Sequence, residues 1–139
     1  MKPEERDYIR YRMQRANQAL GVAERALADG SLPDAVNRLY YACFYAASAL
    51  LLTEGQYAAK HKGVLSLFDI HWINTGRLPA TMGRFFHKIF DARLEGDYED
   101  LAAFEQRAVE TWLEEAEEFI AQVSLKIVEQ LYAENEQGQ

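Results

Sequence analysis

Residues 37–51, Asn37-Arg38-Leu39-Tyr40-Tyr41-Ala42-Cys43-Phe44-Tyr45-Ala46-Ala47-Ser48-Ala49-Leu50-Leu51, constrain this chain more than any other stretch. They are rich in aromatic residues and alanine, apolar nearly all round, with one arginine near the start. A helix of this kind has no water-facing side and belongs at the centre of a bundle. From Leu39 to Leu52 the apolar run is 14 residues, short of the roughly 20 that a bilayer span requires. No membrane segment is expected.

The rest of the sequence supplies partners for that helix. Ile9, Met13, Ala16, Leu20, Ala23 and Leu27 recur at spacings of three and four and predict a first helix from about Pro3 to Ala28, ended by Asp29-Gly30. Ser31-Leu32-Pro33-Asp34 reads as a capping box opening the central helix, which Gly55 stops. A third helix is predicted from about His61 to Asn74 and a fourth from about Ala80 to Leu94. The last is predicted from about Tyr98 to Tyr132, with an apolar stripe from Leu101 and Phe104 to Leu131. At 1.5 Å per residue it would be about 50 Å long and would overhang a bundle of this size. The expected architecture is all-α: an up-and-down bundle of about five helices with a long C-terminal helix, one domain over residues 1–133 and a frayed tail over 134–139.

Composition narrows the chemistry. With 139 residues, 49% hydrophobic and 27% charged, the chain is large enough for a core without disulfides or metals. Cys43 is the single cysteine and lies in the apolar helix, so it reads as a small buried hydrophobe. No secretory signal is visible near the start, and a cytoplasmic location is expected. The net charge of −7 is uneven: residues 1–94 carry a balance of +4 and residues 95–139 one of −11. That distribution argues against a basic surface over the whole protein, but it leaves material for a local cationic site: Arg6, Arg10, Arg12, Arg15, Lys60 and Lys62.

No phosphate-binding glycine loop, nucleophile elbow or zinc motif is present. His61, His71 and His87 are not at metal-ligand spacing, so no metal or cofactor is expected. His71 and His87 read as structural. Arg38 needs water or a carboxylate, because an uncompensated guanidinium is costly to bury. Arg93 and Asp97 are spaced i, i+4, with Gly96 between them. These residues read either as an ion pair closing the end of the bundle or as a polar pocket in which Arg38, His61 and Arg93 offer donors to a phosphate, with Tyr41 and Tyr98 adding hydroxyls.

The series Asn37-Arg38-Leu39-Tyr40-Tyr41-Ala42-x-Phe44, then Lys60-His61-Lys62-Gly63-Val64, Phe68 and Gly76, and finally Arg93-x-x-x-Asp97-Tyr98 resembles the HEPN superfamily (higher eukaryote and prokaryote nucleotide-binding domain). It is most similar to the small stand-alone prokaryotic branch with an Arg-x3-Asp-Tyr ending, over about residues 5–130. The resemblance implies a helical bundle that is commonly dimeric. It also implies metal-independent ribonuclease activity in many members, carried by an Arg followed after four to six residues by a His, and a minimal nucleotidyltransferase as a frequent antitoxin partner. This chain departs from the signature. None of the three histidines follows an arginine at that spacing, and Tyr98 stands where a histidine after Arg93 would fall. A tyrosine, with a pKa of about 10, is a poor general base at neutral pH.

The leading expectation is therefore a non-catalytic or degenerate HEPN protein, a homodimer that binds a nucleotide, RNA phosphate or a nucleotidyltransferase partner, within a toxin–antitoxin or defence system. Its ligand residues would be Arg38, Tyr41, Lys60, His61, Arg93, Asp97 and Tyr98. The alternatives are an active ribonuclease toxin using Arg93 with His61 as an unorthodox base, and a structural interaction module.

Overall fold

The computed structural model describes the backbone of residues 1–98 and 103–137, and the side chains of residues 1–97 and 103–133. Five α-helices account for it: α1 (Pro3–Ala28), α2 (Leu32–Leu52), α3 (His61–Phe68), α4 (Ala80–Tyr98) and α5 (Gln106–Gln137), with a π-helical turn, Asp69–Ile73, appended to α3. The described residues contain no strand, and none of their helices is long and apolar enough to cross a membrane.

The helix directions follow from which residues meet. Gly30, at φ 76°, takes the left-handed turn that a Cβ would resist. Ser31 N–H then reaches back to the Ala26 carbonyl at 2.8 Å and closes α1. The chain reverses there, and Arg15 meets Tyr45 across the hairpin. Asn37 meets Asp97, and Arg93 lies over the Tyr40 and Tyr41 rings, so α4 runs antiparallel to α2. At one end Phe104, just before α5, packs on Gly96 close to Pro33; at the other, Gln130 donates to Thr53. Thus α5 runs along α2 in the same direction. The bundle alternates up and down through α1, α2, α4 and α5, and α3 bridges α2 and α4.

Helix α2 is the core element. Eleven of its residues are buried, six of them alanine or cysteine, and Ala16, Ala19 and Ala23 are buried on α1, so the two backbones approach closely. Phe68, Phe86 and Phe119 bring α3, α4 and α5 together, with ring centroids 5.4–5.5 Å apart. The stripes expected from periodicity on α1, α3, α4 and α5 face inward, apart from Leu101, which lies outside the described residues, and Ala108, beside which Val109 is the buried residue.

Four local expectations need correction. Ser31 stands at the N-cap of α2, but its side chain makes no cap hydrogen bond. The third helix is not α-helical throughout: Asn74 N–H bonds to the Asp69 carbonyl, an i→i+5 contact that widens the last turn. Helix α4 continues through Gly96 to Tyr98, and the glycine leaves room there for the Phe104 ring: a Cβ on Gly96 would lie 3.0 Å from Phe104 Cε2. Tyr98 thus ends α4 instead of opening α5, which begins at Gln106 and runs to Gln137.

Candidate functional site

The residues that gather at one end of α2 come from three helices. Asn37, Arg38, Tyr41 and Phe44 lie on one face of α2, at spacings of three and four. Helix α4 lays Phe90, Arg93 and Asp97 against that face, and the first turn of α3 brings in His61.

Arg93 is the centre of the arrangement. Its side chain is only 12% exposed, and its guanidinium carbon lies 4.9 Å from the centroid of Tyr40, 5.7 Å from Tyr41 and 5.8 Å from Phe90. Aromatic faces stabilise a cation by about 0.5–2 kcal/mol each, which does not replace the water a guanidinium loses on burial. Its carboxylate, Asp97 Oδ2, is 3.4 Å away and also accepts from the Asn37 amide at 3.4 Å. Arg93 Nε is buried with no hydrogen-bond partner among the described residues. The charge is incompletely compensated, the condition in which an anion is welcome.

Arg38 is placed beside it: its guanidinium carbon lies 4.8 Å from the Tyr41 centroid, so Arg38 and Arg93 share one ring. Among the described residues Arg38 takes no carboxylate. Its Nε and NH2 donate to Asn37 Oδ1 at 3.0 and 2.7 Å, which orients the fork without neutralising it.

His61 stacks on Phe44, with centroids 4.5 Å apart and an interplanar angle of 24°. The Tyr40 hydroxyl lies 2.6 Å from His61 Nδ1. Burial raises the Tyr40 pKa far above its ordinary value despite the opposing Arg93 charge, so the phenol keeps its proton. Among the described residues His61 Nδ1 is the acceptor within reach of that hydroxyl, and a buried O–H left undonated is costly. We assign Tyr40 as the donor, which places the imidazole proton on Nε2. Burial first, and the Arg93 charge second, lower the His61 pKa, so the ring is neutral at pH 7. In that state both ring nitrogens are committed: His61 offers an N–H donor and no free lone pair for general-base work.

The remaining expected residues are less closely held. Lys60 is exposed at the N-cap of α3, at the rim. Tyr98 closes α4, but its side chain lies outside the described residues. His87 is bound to Asp69 at 2.5 Å on a different surface, with Lys88 and Trp112 beside it, and is not brought to this site. Cys43 is fully buried, and burial raises its thiol pKa, consistent with a packing role. Of the N-terminal arginines, Arg12 approaches His61 across a cleft, while Arg10 pairs with Asp7. Asn37, Tyr40, Phe44 and Phe90 belong to the site and were not expected there. The shared face with Arg38 and Tyr41 was a usable signal for Asn37 and Phe44.

Comparison with known proteins agrees with this architecture. The HEPN domain model matches residues 9–128. The chain is 39% identical over 128 residues, covering 92% of this chain and 96% of the relative, to a UPF0332 protein of Thermotoga maritima. It is 32% identical over 124 residues, covering 89% and 92%, to the Methanocaldococcus jannaschii protein named "Putative toxin MJ0605". Over 108 residues it is 28% identical, covering 78% and 74%, to a second protein of that organism, named "Putative toxin MJ0142". With the family model spanning most of its length and a five-helix bundle as its fold, the chain belongs to the HEPN domain family.

Proposed function

We propose that this HEPN protein acts in a toxin–antitoxin setting as a binding module, holding the phosphate of a nucleotide or RNA between Arg93, Arg38, His61 and Lys60 without cleaving it. One observation carries the reading: Arg93 is nearly buried, weakly paired with Asp97, and its Nε has no partner among the described residues. A phosphate oxygen would supply the missing acceptor, with bidentate geometry that suits a guanidinium. Arg38 adds a second fork, and neutral His61 adds an N–H. Tyr98 and Asp97 remain part of the proposal as orienting residues. The toxin setting is drawn from the names of the two Methanocaldococcus relatives. A homodimer and a minimal nucleotidyltransferase partner extend the proposal from the family resemblance, and co-purification with size-exclusion chromatography tests both.

Those same names favour a second reading, an active metal-independent ribonuclease toxin. It needs a base, and the Tyr40–His61 bond leaves His61 without a free lone pair. One experiment separates the readings: purified protein with tRNA and messenger RNA in EDTA, beside Arg93→Ala and His61→Ala variants whose folding is measured in parallel. Our reading expects no cleavage but salt-sensitive binding that weakens in Arg93→Ala. Cleavage lost in both variants would establish the ribonuclease. Neither binding nor cleavage, with Arg93→Ala unfolding the chain, would leave these residues as structural supports.

A further inference from the structure

A cleft of about 250 Å³ opens between α1, the loop after α2 and the start of α3, and His61 forms part of its wall. Its size suits one nucleoside rather than a peptide or an extended chain. The walls are flat and aromatic in part. Phe44 and His61 are stacked as one double layer, and Tyr57 stands at the rim, 70% exposed, with no ring contact among the described residues. An exposed tyrosine without a partner is a free stacking face, and bases stack on such faces with little regard to sequence.

The same cleft carries polar side chains as well. Gln56 lines it, and its buried carbonyl oxygen has no partner among the described residues. A side-chain amide offers a donor and an acceptor side by side, the pattern that matches the edge of a nucleobase. Ser48 adds a hydroxyl in the same lining. Arg12, which also lines the cleft, is held by the Tyr8 hydroxyl at 2.8 Å and, among the described residues, not by a carboxylate, so its charge is available to a backbone phosphate.

We infer that this cleft is a base pocket: it takes the nucleobase next to the phosphate held at Arg93 and His61, with Gln56 and Ser48 reading the base edge and Tyr57 stacking upon it. The inference rests on the phosphate reading proposed above, since His61 is the wall the two sites share.

The test uses fluorescence anisotropy on the full chain with labelled hexamers of ribose-phosphate backbone, either abasic throughout or carrying a single A, C, G or U. Wild type is expected to prefer at least one base over the abasic backbone by about tenfold, the gain of stacking one base on an aromatic face. Tyr57→Ala, at an exposed position that does not endanger folding, should remove most of that gain. Gln56→Leu and Ser48→Ala should flatten the choice among bases, and abasic binding should remain unchanged in all three. Equal binding of all five hexamers by wild type would overturn the pocket while leaving the phosphate reading intact. So would a preference that survives all three substitutions. Failure of every hexamer to bind would overturn the phosphate reading and the pocket with it.

Discussion

The Tyr40 hydroxyl lies 2.6 Å from Nδ1 of His61 and turns a candidate base into a hydrogen-bond donor. Nitrogen-15 NMR of the folded protein at pH 7.5 should show the Nε2–H tautomer of neutral His61. Tyr40→Phe should release Nδ1, destabilise the protein by about 1 kcal/mol and let the ring populate both tautomers. A wild-type spectrum with the proton on Nδ1 would contradict the assignment and free Nε2 as a base.

His61 also sets a pH dependence. Its folded pKa lies below the unfolded value of about 6.5, so between the two the unfolded chain binds more protons. Stability therefore rises with pH across that window. The His61 contribution is complete above about pH 6.5 and is lost as pH falls from there toward the folded pKa. Thermal melts from pH 8 to pH 5 should show this leg in wild type and a flatter one in His61→Gln. Coincident profiles would mean that the imidazole is not desolvated as the fold places it.

Asp97 separates a structural role for Arg93 from an anion-binding one. Asp97→Asn keeps an acceptor for Arg93 and Asn37 but removes the negative charge beside the proposed phosphate. Because the pair is partly exposed and long, 3.4 Å, the stability cost should be about 1 kcal/mol or less. RNA affinity at low salt should rise several-fold. Unchanged affinity would mean that no phosphate sits beside this pair, and that it serves only to close the end of the bundle.

Much of this was legible in the chain. The inward stripes of α1, α3, α4 and α5 repeat at helical spacing, and the uniformly apolar α2 left only the centre for itself. The pairing of Arg93 with Asp97 was legible as an i, i+4 spacing, yet Gly96 read as a helix end, because the Phe104 ring that makes glycine suitable there arrives from another segment. Tyr40 read as core, and it is core; its bond to His61 depends on how residues 53–60 return the chain to α2, which no periodicity records. The π-helical turn at Asp69–Ile73 shifts one hydrogen bond and leaves no mark in the spacing of Phe68 and Trp72. The cleft proposed to take a base is assembled from four segments, α1, α2, the loop after it and α3, whose registers only the folded chain sets.

Gly63 ties the local sequence around His61 to the geometry of the site. A Cβ at this position would lie 2.8 Å from the Ala58 Cβ, so either the loop after α2 or the first turn of α3 must move. Gly63→Ala should cost about 1–3 kcal/mol through overpacking. His61 is two residues away, so the same displacement should lengthen its bond to Tyr40 and let its pKa return toward the ordinary value. Ala58→Gly removes the opposing methyl, and the double variant should recover most of the lost stability and the lowered pKa. Calorimetry and a histidine NMR titration on the two single variants and the double variant would measure the coupling, which for residues in contact is about 0.5–3 kcal/mol. Purely additive effects would show that the glycine is needed for some reason other than this contact, and that the position of His61 does not depend on it.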